Sequence, residues 1–243
     1  MKGKIILLGL ALLLTHLTSW SQRWRSTPYE ASAGIGFSNY FGDIGGAATD
    51  DNWYGLKDLE ILSSRPIISG VVRYNHSRFL SFSGSLSTGL IHGTDARGRN
   101  AHRKFVFNTL FLEPSLRIEF AAIRDLQVLR GVNRHGMVRN YGTLTAYILG
   151  GTGGIIYHVM PNDIQKRIQE RNGIDHGFIT LALLAGAGIK VGISNTLDIG
   201  FELGGRYALT DYIDGYTSEF STANDIYYLT TISLVHRFGQ ARP

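Results

Sequence analysis

The chain has 243 residues, a formal charge of +5 and no cysteine. That length fits one domain, and the missing thiols exclude disulfides, thiolate metal sites, a cysteine nucleophile and a lipid anchor on cysteine. The positive excess is small, and Lys2 and Lys4 supply two of it; with no basic helix or aromatic–basic platform, it argues against a nucleic-acid partner.

The chain opens like an exported protein. Lys2 and Lys4 precede an apolar stretch from Ile5 to Leu14 that is too short to span a bilayer. Ser19-Trp20-Ser21 places small residues where a signal peptidase reads, so residues 1–21 read as a signal peptide and residues 22–243 as the exported domain. A membrane-anchoring helix is the alternative. No later stretch has the ~18 continuous apolar residues of a helical span.

Eight segments then alternate with a period of two, which puts successive side chains on opposite faces of a strand. The first runs near Ala31 to Phe41, with Ile35 and Phe37 against Ser32, Gly36 and Ser38. The second covers about Ile67 to Asn75, with Ile68 and Val72 against Ser69 and Arg73. The third, Phe79 to Leu90, is the clearest: Leu80, Phe82 and Leu86 face away from Ser81, Ser83, Ser85 and Ser87. The fourth spans about Phe105 to Phe120, setting Leu112, Leu116 and Ile118 against Glu113, Arg117 and Glu119, with Pro114 suggesting a bulge. The fifth is near Thr143 to Tyr157 and the sixth near Phe178 to Val191, where Lys190 lies opposite Ile189 and Val191. The seventh, Leu197 to about Leu209, sets Ile199, Phe201 and Leu203 against Asp198, Glu202 and Arg206. The eighth is about Tyr227 to Phe238, with Ile232 and Leu234 against Ser233 and Arg237.

The apolar faces are too extensive for one small soluble core, and the opposite faces carry charges at strand centres. The fold expected is all-β: an eight-stranded antiparallel transmembrane up-and-down barrel with lipid outside and a polar, charge-balanced interior. Short turns at Asn75–Phe79 and Gly192–Thr196 alternate with long connections after the first, third, fifth and seventh segments. Both chain ends then lie in the periplasm and the long loops outside, in a bacterial outer membrane. Within the third outer loop, Asp163 to Arg171 could form one or two amphipathic turns. Ala121 to Tyr141 breaks the pattern as a long periplasmic connection carrying Arg124, Arg130, Arg134 and Arg139.

Inward positions hold Arg73, Arg117, Lys190 and Arg206 against Glu113, Glu119, Asp198 and Glu202. Buried charges must be paired, so these read as a structural ion-pair network; a polar pore or small-ligand site is the alternative. Glu113 with Glu119, or Asp198 with Glu202, could in principle do acid–base work, but arginines on the same face favour ion pairing. His92, His102, His158 and His176 read as loop residues, so neither a catalytic histidine nor a metal site is expected. Gly150-Gly151-Thr152-Gly153-Gly154 lacks the lysine of a phosphate loop and reads as barrel packing. Aromatics at strand ends (Tyr29, Tyr40, Phe41, Trp53, Tyr54, Tyr207, Tyr212, Tyr216, Tyr227 and Tyr228) read as girdles at the lipid headgroups.

Several stretches together resemble the PorG-type barrel of the Bacteroidetes type IX secretion system. They are Gly36-Phe37-Ser38-Asn39-Tyr40-Phe41-Gly42-Asp43, the glycine-spaced Tyr147–Tyr157, Gly186–Gly192, and Gly204 through Thr210-Asp211-Tyr212-Ile213-Asp214, with the closing strand to Phe238. The resemblance implies a non-enzymatic outer-membrane barrel without cofactor or small-molecule substrate, associated with a periplasmic ring lipoprotein and its partner. The function expected is a structural or docking part of that export apparatus. Arg124, Arg130, Arg134 and Arg139 are the candidate partner contacts; meeting lipid phosphates is their plainer role. The rival functions are a small channel or lipid-transport barrel, a surface adhesin acting through its long outer loops, and a lipid hydrolase at the barrel rim.

Overall fold

The computed structural model describes residues 27–41, 44, 63–95, 101–132, 138–172, 178–194, 196–216 and 224–239. The signal-peptide segment, residues 1–21, lies outside them. Eight antiparallel strands follow one another in chain order: β1 (Tyr29–Phe41), β2 (Arg65–Asn75), β3 (Leu80–Thr94), β4 (Val106–Val132), β5 (Val138–Pro161), β6 (Ile179–Gly192), β7 (Leu197–Ala208) and β8 (Ile226–Phe238). β1 pairs with β8 and closes the barrel. One helix, α1 (Asp163–Asn172), lies between β5 and β6. Among the described residues no helix is long and apolar enough to cross a membrane.

The period-two pattern has the sense expected of a barrel turned outward. Leu116 is 73% exposed and Ile35 71%, while Glu113 in β4 is 0% exposed. Leu86, Ile118, Ile199 and Leu234 are also exposed on the outer wall. Ser81, Ser83, Ser85 and Ser87 are all buried inside. A wall this apolar has no stable contact with water, and a closed ladder leaves no open edge in hydrocarbon.

The two expected short turns join strands at one rim, and each is tied by a serine hydroxyl. Ser77 Oγ accepts from the Leu80 N–H at 3.0 Å, and Ser194 Oγ accepts from the Leu197 N–H at 3.0 Å. The longer connections all open at the opposite rim.

The third connection at the short-turn rim differs from its expectation. Ala121 to Tyr141 is mostly strand: β4 and β5 continue as a two-stranded ribbon, pairing from Leu126↔Leu144 to Val132↔Val138. Register shifts between Ala121 and Ile123, and between Ile123 and Leu126, each put one extra residue in β4. They break the two-residue period, which is why the stretch reads as a loop. Pro114 makes no bulge: the pairs Leu112↔Ile156 and Ser115↔Gly153 keep one register on either side of it.

Glycines divide by face. An added Cβ at inward Gly36 would lie 1.9 Å from the Thr230 carbonyl oxygen at the β1–β8 seam, whereas at outward Gly84 it would meet nothing within 4 Å. Gly36→Val should therefore block closure or cost roughly 3 kcal/mol or more. Gly84→Ala should change stability by no more than about 0.5 kcal/mol. Urea titration of the refolded barrel, scored by the compact gel mobility of the folded form, separates them; equal midpoints would contradict this account of the seam.

Candidate functional site

The barrel interior has two storeys. From the short-turn rim to mid-barrel, inward charges pair in three groups. Glu30 accepts from Lys190 Nζ at 2.6 Å, Arg73 Nη1 at 3.0 Å and the Asn75 amide at 2.9 Å. Arg73 Nε donates to Glu119 at 2.5 Å. Arg117 Nη1 donates to Glu202 at 2.6 Å, while its Nη2 lies 3.5 Å from Glu119, an ion contact rather than a hydrogen bond. Tyr147 donates its hydroxyl proton to Glu202 at 3.0 Å. Arg206 Nε faces Glu113 at 3.4 Å, and the Tyr227 hydroxyl donates to the other oxygen of Glu113 at 2.5 Å. Arg237 bridges Asp198 at 2.6 Å and Asp125 at 3.0 Å.

All eight charges read from the sequence thus point inward: Arg73, Arg117, Glu119, Lys190 and Glu202 share one web, Arg206 and Glu113 form a second contact, and Asp198 joins Arg237. Four members were not in that set, one of them Arg237, which the alternation puts on the inward face of the eighth strand. Glu30 lies one residue before the expected start of the first strand, in phase with Ser32 and therefore visible to a slightly longer reading. Arg124 and Asp125 turn inward together because the register slips at the base of the ribbon suspend alternation. Arg124 donates to Ser81 Oγ at 2.6 Å and to the Ser77 carbonyl at 3.2 Å. It is buried, which removes it from the candidate partner contacts. Arg130 and Arg139 lie on the ribbon strands, and Arg134 lies outside the described residues. With these additions six cations (Arg73, Arg117, Arg124, Lys190, Arg206, Arg237) face six anions (Glu30, Glu113, Glu119, Asp125, Asp198, Glu202).

The half nearer the long loops is an apolar cap. Ile67, Ile91, Phe107, Phe111, Ile155, Tyr157 and Leu229 point inward and pack with Ile44 and Ile213 from the connections. Tyr40 meets Phe107 edge-on at 5.1 Å. The signal was present in the sequence: at these strand ends both faces are apolar, as in Leu110-Phe111-Leu112 and Ile155-Ile156-Tyr157. Between the storeys a cavity of about 20 Å³ remains, lined by Ser32, Arg73, Ser85, Glu202, Arg206 and neighbours. That holds about one water molecule.

Some girdle assignments change. Tyr40 and Tyr227 point into the barrel, where Tyr40 donates to Asp225 and Tyr227 to Glu113. Tyr216 packs on the cap, 5.3 Å from Phe105. Tyr29 and Tyr207 stay on the outer wall, and Tyr228 packs against Phe41. Tyr74, Phe79, Phe82, Phe120 and Phe238 add to the ring at the short-turn rim. Trp53 and Tyr54 lie outside the described residues. His92 and His158 sit on β3 and β5 rather than in loops, His102 on a single helical turn, and His176 outside the described residues. Among the described residues no group of three His, Asp or Glu is arranged to hold a metal.

An apolar outer wall, an aromatic rim, an even strand count and a charge-neutral interior define an outer-membrane β-barrel of a bacterium. The chain belongs to the family described as a domain of unknown function (DUF6089), whose model matches residues 10–242. No curated protein matches it. Solved barrels similar to it include the N-terminal β-barrel domain of Pseudomonas aeruginosa OprF, 10% identical over 87% of this chain and 98% of that one, TM-score 0.42. Neisserial surface protein A is 9% identical over 87% and 98%, TM-score 0.45. OprG of Pseudomonas aeruginosa is 8% identical over 88% and 98%, TM-score 0.42.

Two outcomes follow from this interior. Arg206→Met strands the fully buried Glu113 carboxylate with only Tyr227, so it should cost about 3–5 kcal/mol in urea unfolding. Pairing it with Glu113→Gln should recover part of that loss; a double variant weaker by the sum of both singles would refute the pairing.

The second concerns the buried turn that carries Asp214 between β7 and β8. Burial first, then the Asp225 carboxylate, holds the Asp214 carboxyl well above the ordinary aspartate value; the Tyr216 N–H and the Tyr40 hydroxyl oppose that shift, and Asp211 adds to it. A raised carboxyl contributes stability that is complete below about pH 3.9 and is lost as pH climbs through the folded value. Hydrogen-exchange protection of Ile213–Tyr216 should therefore fall as pH rises above that point. In Asp214→Asn it should stay level, and a parallel fall in the variant would rule the carboxyl out.

Proposed function

We propose that this barrel is a non-enzymatic anchor and docking component of a protein-export apparatus of the type IX kind, meeting a periplasmic ring lipoprotein and its partner. The observation that carries the reading is the β4–β5 ribbon, which continues past the short-turn rim while the lumen behind it is filled. A filled, charge-neutral interior supports anchoring rather than conduction, and weighs against the channel and lipid-transport alternatives. The cavity between the storeys has room for about one water molecule, and the lumen carboxylates named above are engaged by arginine, lysine or tyrosine. The sequence resemblance to PorG-type barrels supplies the identity of the partners. Arg130, Arg134 and Arg139 are the contacts, with no acidic residue from Leu126 to Asn162 to offset them. Charge placed there steers association more than it fixes affinity.

The test is affinity purification from native membranes after mild cross-linking. The ring lipoprotein and its partner should be recovered with the wild-type chain. In Arg130→Ser/Arg134→Ser/Arg139→Ser, association measured at low salt should slow roughly tenfold or more. Absence of both proteins from the wild-type material would end the docking reading. The purified barrel should also be silent in planar bilayers; steady unitary currents would favour a channel.

A further inference from the structure

Among the described residues neither edge of the ribbon is covered. The β3–β4 ladder ends at Leu80↔Phe120, with one last bond from the Ala121 N–H to the Phe79 carbonyl. On the other side the β5–β6 ladder ends at Leu144↔Val191. From Leu126↔Leu144 to Val132↔Val138, β4 and β5 pair only with each other among the described residues. At ~3.4 Å per residue, Leu126 to Val132 extends roughly 20 Å.

An antiparallel strand bonds its neighbour through alternate residues, so the intervening N–H and C=O groups of Leu126–Val132 face away from β5. A two-stranded ribbon is marginal in water, and an uncovered edge of this length is a template for another strand. Two devices that often blunt such an edge, a proline and a bulge within it, are missing here. The sequence has no proline between Pro114 and Pro161, and both register slips lie at or before Leu126. Val128, Val132 and Val138 favour extended backbone.

Charge selects the occupant. The ribbon strands carry Arg130 and Arg139 and no acid. A second copy of the same edge would set like charges side by side, whereas an acidic strand would set opposite charges across the pair. We propose that the β4 edge at Leu126–Val132 is a strand-addition site that takes an extended acidic segment of a periplasmic protein as a third strand. This inference rests on the docking reading above and specifies its mode. Main-chain hydrogen bonds supply the affinity, and the arginines supply the preference for acidic sequence.

The experiment uses the full mature chain in nanodiscs and a labelled ten-residue peptide alternating glutamate and valine. Two companion peptides keep the length: one with alternate backbone amides N-methylated, one with lysine replacing glutamate. The acidic peptide should bind and slow hydrogen exchange at Leu126–Val132. N-methylation removes main-chain donors without touching charge, and should weaken binding at least about tenfold. The lysine peptide should bind no better than that. Arg130→Ser/Arg139→Ser should weaken the acidic peptide while the barrel keeps its folded gel mobility. Equal binding of the N-methylated peptide would mean ion pairing without strand addition, overturning this inference while leaving docking intact. Equal binding of the lysine peptide, no binding at all, or concentration-dependent dimers that protect the same amides would overturn it too. Docking itself stands or falls separately on recovery of the ring proteins.

Discussion

Hydrocarbon offers a backbone no hydrogen-bond partner, and the rest of this structure depends on that constraint. Each strand must find both neighbours, so the chain closes on itself through the β1–β8 ladder from Tyr29↔Phe238 to Phe41↔Ile226. Closure of eight strands brings backbones close on the inner face. Glycine at 34 and 36 admits that approach, since a Cβ at either position would sit less than 3 Å from β8. Once the register is set, every side chain has its face assigned, and a one-residue slip would carry Arg73 or Glu119 into lipid. The ion-pair network is therefore a consequence of closure as well as a support for it.

The two storeys solve one filling problem with different chemistry. In the charged storey each carboxylate meets at least one cation, which offsets the desolvation of both. Tyr147 and Tyr227 complete the set by donating to Glu202 and Glu113, carboxylates each engaged by one arginine. In the apolar storey the packing of Phe107, Phe111, Ile155 and Tyr157 draws Ile44 and Ile213 down from the connections, so the outer loops are anchored by the same groups that seal the barrel. The charges named in the charged storey are matched six against six, so that storey presents no net charge to attract ions of one sign.

How much of this was legible in the sequence depends on where alternation survives. It survives in the β3 serines and in β7, whose faces match the structure residue by residue, because one face there is wholly apolar and the other wholly small or charged. It fades at the outer strand ends, where Phe111 and Tyr227 face inward among equally apolar neighbours; periodicity cannot tell a sealed lumen from a lipid wall. It fails at Ala121–Leu126, where two inserted residues shift the phase and a strand looks like a loop. Glu30 stands one residue before the alternation beginning at Ala31, where a lone glutamate beside Tyr29 carries no periodic signal of its own. The arginines of the ribbon were visible as charge, but nothing local showed that their backbone would be extended and uncovered.

The register slips also explain how a projecting ribbon is held by a rigid barrel. Asp125 adopts a positive φ of 52°, a conformation that aspartate tolerates better than most residues, and its side chain reaches Arg237 on β8 across the lumen. Arg124, its neighbour, crosses to the β2–β3 turn through Ser77 and Ser81. The base of the ribbon is thereby tied to two distant parts of the wall, and through Arg237 and Asp198 to β7. A load applied to Leu126–Val132 would reach the barrel through these polar ties and the continuous strands themselves, rather than through a hinge. The slips that hide the ribbon from a sequence reading are thus the same feature that secures it.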